Sequence, residues 1–396
     1  MKFNKWTVGL AAVGVVSLAS AARADEQMSQ VQTALTQTTL SGYVDTAMQW
    51  NPNSDTRNGG GPNIPGYSFA KDDGFQLNAV DIALDKPEDS SAWAAGYHVE
   101  VMGGPDSIGL YDNHGQAALR QAFIRLHTPV GGNGIDWQIG VWDSIIGYES
   151  NSDPANPNYT RSYGYTIEPT TFTGILGTYK VNDEISISGG IADDDGGIDL
   201  AGNAPTATGN TSAESLKTYM GSVALTAPAS FGFLNGATLS GGVVHSSDAR
   251  SVIGGGNNTS LYVGTTVPTP VSMLKVGASF DYLFESDLAT PKGDNDAWDV
   301  AGYATVQATD KLSFDARAEY YDGHNANAAD DVGLYAGTDA EEITGTIQYN
   351  LWANVISRAE VRWDHTENNK PFGASKTGAP DRNNDFLFAL NFIYQF

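Results

Sequence analysis

The sequence predicts an all-β chain that closes into a transmembrane antiparallel β-barrel of about sixteen strands, with short periplasmic turns and long extracellular loops. Three observations carry that expectation. From Leu40 onward apolar residues recur at period two, the mark of strands with one apolar face. The segments between those strands alternate between short and long. Finally, only 17% of the 396 residues are charged, yet no uncharged apolar run in residues 25–396 is long enough for a spanning helix.

The chain opens on an export signal. A basic start (Lys2, Lys5) precedes an apolar run from Val8 to Ala22, and Ala22-Arg23-Ala24 offers an A-x-A cleavage site before Asp25. The run is shorter than the roughly 20 residues a helix needs to cross hydrocarbon. The expectation is a cleaved signal peptide over 1–24, a short polar leader over 25–38 and a single barrel over 39–396.

Alternation places strands at 39–50, 74–85, 92–103, 116–128, 134–142, 171–179, 184–192, 215–227, 235–247, 258–268, 272–286, 296–308, 310–322, 339–351, 353–365 and 385–396. The last is the clearest, with Phe386, Phe388, Leu390, Phe392, Tyr394 and Phe396 on one face. Val355, Val361 and Trp363 likewise oppose Arg358, Glu360, Arg362 and Asp364. Every second connection is short, as at Lys86–Ser91, Pro129–Asn133, Thr309 and Trp352. The others, at 51–73, 143–170, 193–214, 323–338 and 366–384, are long and rich in Gly, Asn, Asp and Pro. Two places break the alternation. Arg120 and Arg125 sit on opposite parities of one strand, which calls for a bulge, and the second strand changes parity between Leu77 and Val80.

A soluble β-sandwich or β-helix would not sort its loops by length. A spanning barrel requires that sorting, together with an even number of strands and closure, because no backbone group is left unpaired in lipid. Aromatic residues near strand ends (Trp50, Trp93, Trp298, Tyr394, Phe396) suit interfacial girdles. Sixteen closed strands leave an aqueous interior, so the polar face of each strand lines water.

Composition excludes whole classes of function. The net charge is −25, and removing residues 1–24, which carry three basic residues and no acids, deepens it to −28. A nucleic-acid binder needs a positive face instead. There is no cysteine, hence no disulfide framework, zinc-thiolate site or thiol nucleophile. No G-x-S-x-G elbow, H-E-x-x-H or P-loop occurs, and the six histidines are scattered. No catalytic residue and no cofactor is expected.

The ending Tyr394-Gln395-Phe396 resembles the C-terminal signature of Gram-negative outer-membrane porins. More narrowly, Leu40-Ser41-Gly42-Tyr43-Val44-Asp45-Thr46, and Ile146-Gly147-Tyr148-Glu149 followed by Arg161-Ser162-Tyr163, resemble the β-barrel porin-2 (OmpL-like) family. The resemblance runs over essentially the whole mature chain. It implies passive diffusion of small hydrophilic solutes across a bacterial outer membrane, and it supplies no substrate.

The connection 143–170 is expected to fold into the lumen as a constriction loop, because it carries the apolar and aromatic anchors Ile145, Ile146, Tyr148, Tyr159, Tyr163, Tyr165 and Ile167. The alternative is an external loop shielding the mouth. Selectivity in a wide pore comes from charge and diameter at the narrowest point. Lumen parity places Asp45, Glu100, Asp315, Glu319 and Glu360 inside, against Arg317, Arg358 and Arg362. These arginines would form a basic patch facing Glu149, Asp153 or Glu168 on the loop, which also holds Arg161. Opposed charges across the gap would set up a transverse field; equally, they are wall residues paired with neighbours. The acidic excess makes weak cation preference the default.

Asp193, Asp195 and Asp199 offer hard oxygen ligands for a divalent ion but lack the EF-hand spacing, so solvated loop charge is the simpler reading. Three function classes remain: a general diffusion porin, a channel selective for sugars or oligopeptides, and a structural or adhesive surface barrel. An aromatic track of Tyr43, Trp142, Tyr303 and Tyr321 would support the second. The partners expected are outer-membrane lipid, surface glycolipid, small solutes and, by analogy, two further copies in a homotrimer.

Overall fold

The computed structural model describes residues 37–52, 71, 73–107, 117–193, 217–249, 256–286, 295–325, 338–368, 370–373 and 381–396. The expected signal peptide, most of the leader and the acidic loop residues Asp195 and Asp199 lie outside these.

Sixteen strands follow one another: Thr39–Trp50 (β1), Gly74–Lys86 (β2), Ala94–Gly103 (β3), Ala117–Thr128 (β4), Ile135–Asp143 (β5), Thr171–Lys180 (β6), Ile185–Ala192 (β7), Thr218–Thr226 (β8), Thr238–Ala249 (β9), Gly256–Pro268 (β10), Leu274–Ser286 (β11), Asn295–Gln307 (β12), Leu312–Asn325 (β13), Thr338–Trp352 (β14), Val355–Thr366 (β15) and Asn384–Gln395 (β16). Each neighbours the next, and β1 pairs antiparallel with β16, so the sheet is a closed barrel. No helix among the described residues is long and apolar enough to cross a membrane; in such a barrel the strands do the crossing.

Alternation fixes which way each side chain points. On β16, Phe386, Phe388, Leu390, Phe392 and Tyr394 face outward, while Asp385, Leu387, Asn391 and Ile393 are fully buried inside. The barrel is therefore inverted relative to a water-soluble protein, apolar outside and charged within. Sliding one strand by a residue would turn its whole polar set to the lipid. On β15 that would expose Arg358 and Arg362, at about 2–4 kcal/mol each near the bilayer midplane. The register is thus held by the alternation itself.

Both breaks in the alternation have a structural cause. Across β3 and β4, Gln121 lies opposite Glu100 while Leu119 lies opposite Val101, which leaves Arg120 as the extra residue of a bulge. Arg120 turns inward there. On β2 the parity changes at Asn78 and Ala79, both fully buried. Two connections differ slightly from expectation. The β14–β15 turn is Ala353-Asn354 rather than Trp352, with Asn354 at φ 70° in the left-handed region that Asn tolerates. The β12–β13 turn takes 308–311 rather than Thr309 alone.

The core sits inside the lumen. One cluster joins Tyr163 and Ile167 to Leu283, Ala297, Tyr321, Ala340 and Phe372. Another joins Ile146 to Phe123, Trp142, Phe172, Met220 and Tyr262. A third joins Tyr159 to Ala47, Leu387 and Ala389. These three all contain side chains from the segment 144–170; a fourth, of Tyr43, Ala79, Met102 and Ile393, is built by the wall alone.

Candidate functional site

The segment 144–170 joins β5 to β6 and folds into the barrel, where it crosses to the opposite wall. Its course is fixed by two tight turns. Asp153–Ala155 forms a single 3₁₀ turn started by Pro154. Tyr163–Ile167 forms a one-turn helix, α1, capped by Ser162, whose hydroxyl accepts the Tyr165 N–H at 3.0 Å. Gly147 makes the entry bend at φ 126°, a backbone conformation that residues with a side chain rarely adopt.

The seven expected anchors all pack inward. Ile146 enters the cluster with Trp142 and Phe172, with Ile145 and Tyr148 against its edge. Tyr148 stacks on Tyr303 with ring centroids 4.2 Å apart and hydrogen-bonds Thr266 at 3.0 Å. Tyr163 stacks on Tyr321 at 5.0 Å, and its hydroxyl donates to Asp364 Oδ1 at 3.0 Å. Tyr159 donates to Gln49 Oε1 at 3.1 Å, and Tyr165 to Asn151 Oδ1 at 2.9 Å.

Wall charges hold the loop backbone. Arg317, 1% exposed, donates to Glu149 Oε1 at 2.8 Å, to the Thr160 carbonyl at 2.9 Å, to the Arg161 carbonyl at 3.1 Å and to Glu342 Oε2 at 3.2 Å. Arg358 donates to the carbonyls of Asp153 and Asn156. Arg362 donates to Asp364 Oδ1 at 2.7 Å and to the Arg161 carbonyl, with its guanidinium over the Tyr163 ring at 5.4 Å. Glu360 accepts the Tyr159 and Thr160 N–H groups at 2.6 and 2.8 Å, and Glu319 accepts that of Tyr163 at 2.8 Å. Within the loop, Glu149 accepts the Ser162 N–H at 2.7 Å and Arg161 pairs with Asp153 at 2.7 Å. Loop groups that would be orphaned inside the barrel thus find charged partners, which make the stronger hydrogen bonds.

The structure therefore brings together Glu149, Asp153, Arg161, Arg317, Arg358, Glu360, Arg362 and Glu319, and it corrects how they face. The three arginines do not look across an open gap at loop carboxylates. They lie beneath the loop, at most 3% exposed, and all three bind more of its carbonyls than of its acids. The expected transverse field has no open gap to act across at this point. Glu168 meets an acid instead. Burial, Asp281's charge and the hydrogen bond between the two carboxyls hold the Glu168 carboxyl well above the usual carboxylate range. The aromatic track is likewise absent as a free surface, because Tyr43, Trp142, Tyr303 and Tyr321 are all at most 7% exposed.

Other expected residues lie apart from this network. Asp45 accepts the side-chain amides of Asn78 and Asn391 at 2.7 and 2.6 Å. Glu100 pairs with Arg120 and accepts from Gln121 at 2.8 Å. Asp315 accepts the hydroxyls of Ser313 and Thr305 at 2.8 and 2.7 Å. Asp193 pairs with Lys217. Among the described residues no group of His, Asp and Glu is disposed to hold a metal ion.

Several participants escaped the sequence reading. Asn158 donates to Thr346 at 2.7 Å, and Lys71, just before β2, ties Asp106 at 2.6 Å to the ring of Tyr159 at 5.1 Å. Burial pushes the Asp106 carboxyl up to about 6, with Lys71 tempering the shift. Gly164 packs so closely on the wall that a Cβ would lie 2.8 Å from Asp281 Oδ2 and 2.9 Å from Asp299 Oδ1. A lysine in a loop of so acidic a chain is a signal; a neutral amide or a glycine on the inner face is not.

What remains open beside the loop is a cavity of about 360 Å³ between Gly147–Pro157 and the wall of β9, β10 and β12. It adjoins a second of about 300 Å³ that reaches Lys275, Asp315 and Gln348 near the short turns.

A family model described as "Putative beta-barrel porin-2, OmpL-like" matches residues 37–396. The chain belongs to this porin family. Membership makes it a porin-like channel of the outer membrane, which is what the inverted barrel and inward-folded loop had indicated. Among solved structures it is similar to the outer membrane channel DcaP of Acinetobacter baumannii, at 12% identity over 91% of this chain and 97% of that one, with a TM-score of 0.59. The anion-selective porin from Comamonas acidovorans aligns at 12% identity over 91% and 99%, with a TM-score of 0.57. The outer-membrane expressed OmpT of Vibrio cholerae does so at 13% over 91% and 97%, with a TM-score of 0.57. At such identities the likeness is one of fold alone. No curated protein matches the chain.

Proposed function

We propose that the chain forms a water-filled channel for passive diffusion of small hydrophilic solutes and ions, narrowed by the segment 143–170. The observation that carries this reading is the loop itself. It is tied to the wall by Arg317, Glu360 and Arg362, yet it leaves a polar opening on the β9–β12 side. A rigidly held loop sets a fixed aperture, which suits diffusion better than a gated cycle.

Weak cation preference belongs to the same proposal. Carboxylates outnumber basic groups on the inner face of the described barrel, and an acidic lumen raises the local concentration of cations. We further propose that residues 1–24 are removed on export and that the barrel assembles as a homotrimer. For the trimer the support is the Vibrio cholerae OmpT structure described as a trimer form, 13% identical to this chain. No catalytic step is proposed.

The dense packing of the loop favours one rival, a surface barrel whose lumen is shut. Single-channel conductance in a planar bilayer separates the two. Steady conductance, with a reversal potential of cationic sign in a salt gradient, is the expected result; no conductance from correctly folded protein would overturn the channel reading.

A further inference from the structure

We infer that the cavity beside the loop is a subsite for an uncharged, polyhydroxylated solute, a mono- or disaccharide; this rests on the channel reading above. The cavity lies between the loop residues Gly147–Pro157 and the inner wall, on the side of the short turns. Its volume, about 360 Å³, falls in the range of small-ligand sites and has room for one sugar ring, the adjoining cavity taking a second.

Its chemistry is the reason for the class. The wall presents hydroxyl oxygens from Ser240, Thr265, Thr266, Thr305 and Tyr303, and the loop adds that of Tyr148. Thr265 and Thr305 already donate, to the Thr238 carbonyl and to Asp315, and Tyr148 pairs with Thr266, so these four keep lone pairs that accept from a polyol. The Tyr303 hydroxyl is buried, lines both cavities and has no hydrogen-bond partner among the described residues. A phenol both donates and accepts, so the group that completes it is another hydroxyl. The tyrosine rings of Tyr148 and Tyr303 stand stacked at its edge and give the site one rigid apolar wall.

Charge is missing where a charged solute would need it. Glu149 is the one ionisable acid or base on the inner cavity, and both its oxygens are spent, on Arg317 at 2.8 Å and on the Ser162 N–H at 2.7 Å. In the outer cavity Asp315 is occupied by the hydroxyls of Ser313 and Thr305, and Lys275 is exposed at the rim. An ion entering the inner cavity would shed water without meeting a free counter-charge, whereas a polyol exchanges its water for hydroxyls at little cost.

The test is current block by glucose and maltose, added to the purified protein in a planar bilayer. Block is read in each variant as the ratio of blocked to open current. The expected result is saturable block by maltose that is weakened about five- to tenfold in Tyr303→Phe, roughly the loss of one hydrogen bond. Tyr148→Phe, which keeps the stacked ring, should weaken it to a similar degree. A conducting channel without saturable sugar block would overturn this inference alone. So would block unchanged in both variants, or tighter block by a dicarboxylate than by either sugar. A folded barrel that does not conduct would overturn the channel reading and this inference together.

Discussion

Replacing Arg317 by alanine tests whether the loop is held by wall charges. The side chain is fully enclosed, and its loss leaves Glu149 and Glu342 as buried carboxylates without their shared cation. It also strands the carbonyl of Thr160 and leaves that of Arg161 to Arg362 alone. Breaking a buried ion pair from one side costs about 3–5 kcal/mol. Because Glu342 and Glu319 lie on the wall itself, part of that cost falls on both docked and released loop. Taking about 3 kcal/mol as the docking share gives a shift of about 150-fold toward the released loop. The strands keep their backbone ladder, so the barrel should still fold and show its heat-modifiable mobility on a gel. Single-channel recordings should then show larger and noisier conductance, and protease should cut within 144–170 in the folded barrel. Arg317→Lys should fall between, because a point charge can keep one carboxylate but not the fork that also reaches two carbonyls. Wild-type conductance, noise and protease resistance in Arg317→Ala would refute the reasoning.

Three further outcomes follow from the same geometry. Gly164→Val should loosen the loop as Arg317→Ala does, since its Cβ would strike the carboxylates of Asp281 and Asp299; unchanged current noise in this variant would contradict the packing described. The raised pKa of Glu168, caused by burial and by Asp281 and Glu149 beside it, means that the docked loop holds a proton the released loop gives up at ordinary acidity. Docking is then strongest at low pH and weakens as pH rises toward the folded value; conductance noise should grow with pH, and Glu168→Gln should flatten that dependence. Tyr163→Phe removes a buried hydroxyl that donates to Asp364, at about 1–2 kcal/mol. Protease susceptibility of the loop should rise without any change in barrel mobility.

The strands were legible because period two is a local property. Each strand of the barrel alternates independently, and Phe386 to Tyr394 declares its outer face without reference to any neighbour. Even the irregular places showed, since Arg120 and Arg125 cannot share a face without an added residue, and the β3–β4 register supplies it. The inward loop was legible too, from seven apolar and aromatic residues where a solvated loop would have polar ones. Its docking was not. Which wall it meets depends on closure of the barrel, and charge alone suggested that arginines would seek acids. Backbone groups took a share instead: Arg358 serves loop carbonyls, Arg362 divides its bonds between Asp364 on its own strand and the Arg161 carbonyl, and Glu360 serves N–H groups, and backbone partners are not written in side-chain identity. Glu168 fell beside Asp281 for the same reason.

The anchoring contacts have a temporal meaning. Glu149 meets Arg317 across a sequence separation of 168, and Tyr159 meets Glu360 across 201. The loop is made before its partners, and contacts so distant along the chain form late. The pairing of β1 with β16 closes a still longer stretch of chain, Asp45 and Asn391 lying 346 residues apart, so docking of the loop and sealing of the cylinder belong to the same late stage of assembly. Cells making a weakly docked variant would be expected to carry leaky envelopes at normal protein abundance, so permeability to bulky antibiotics, rather than expression level, is where such defects would surface.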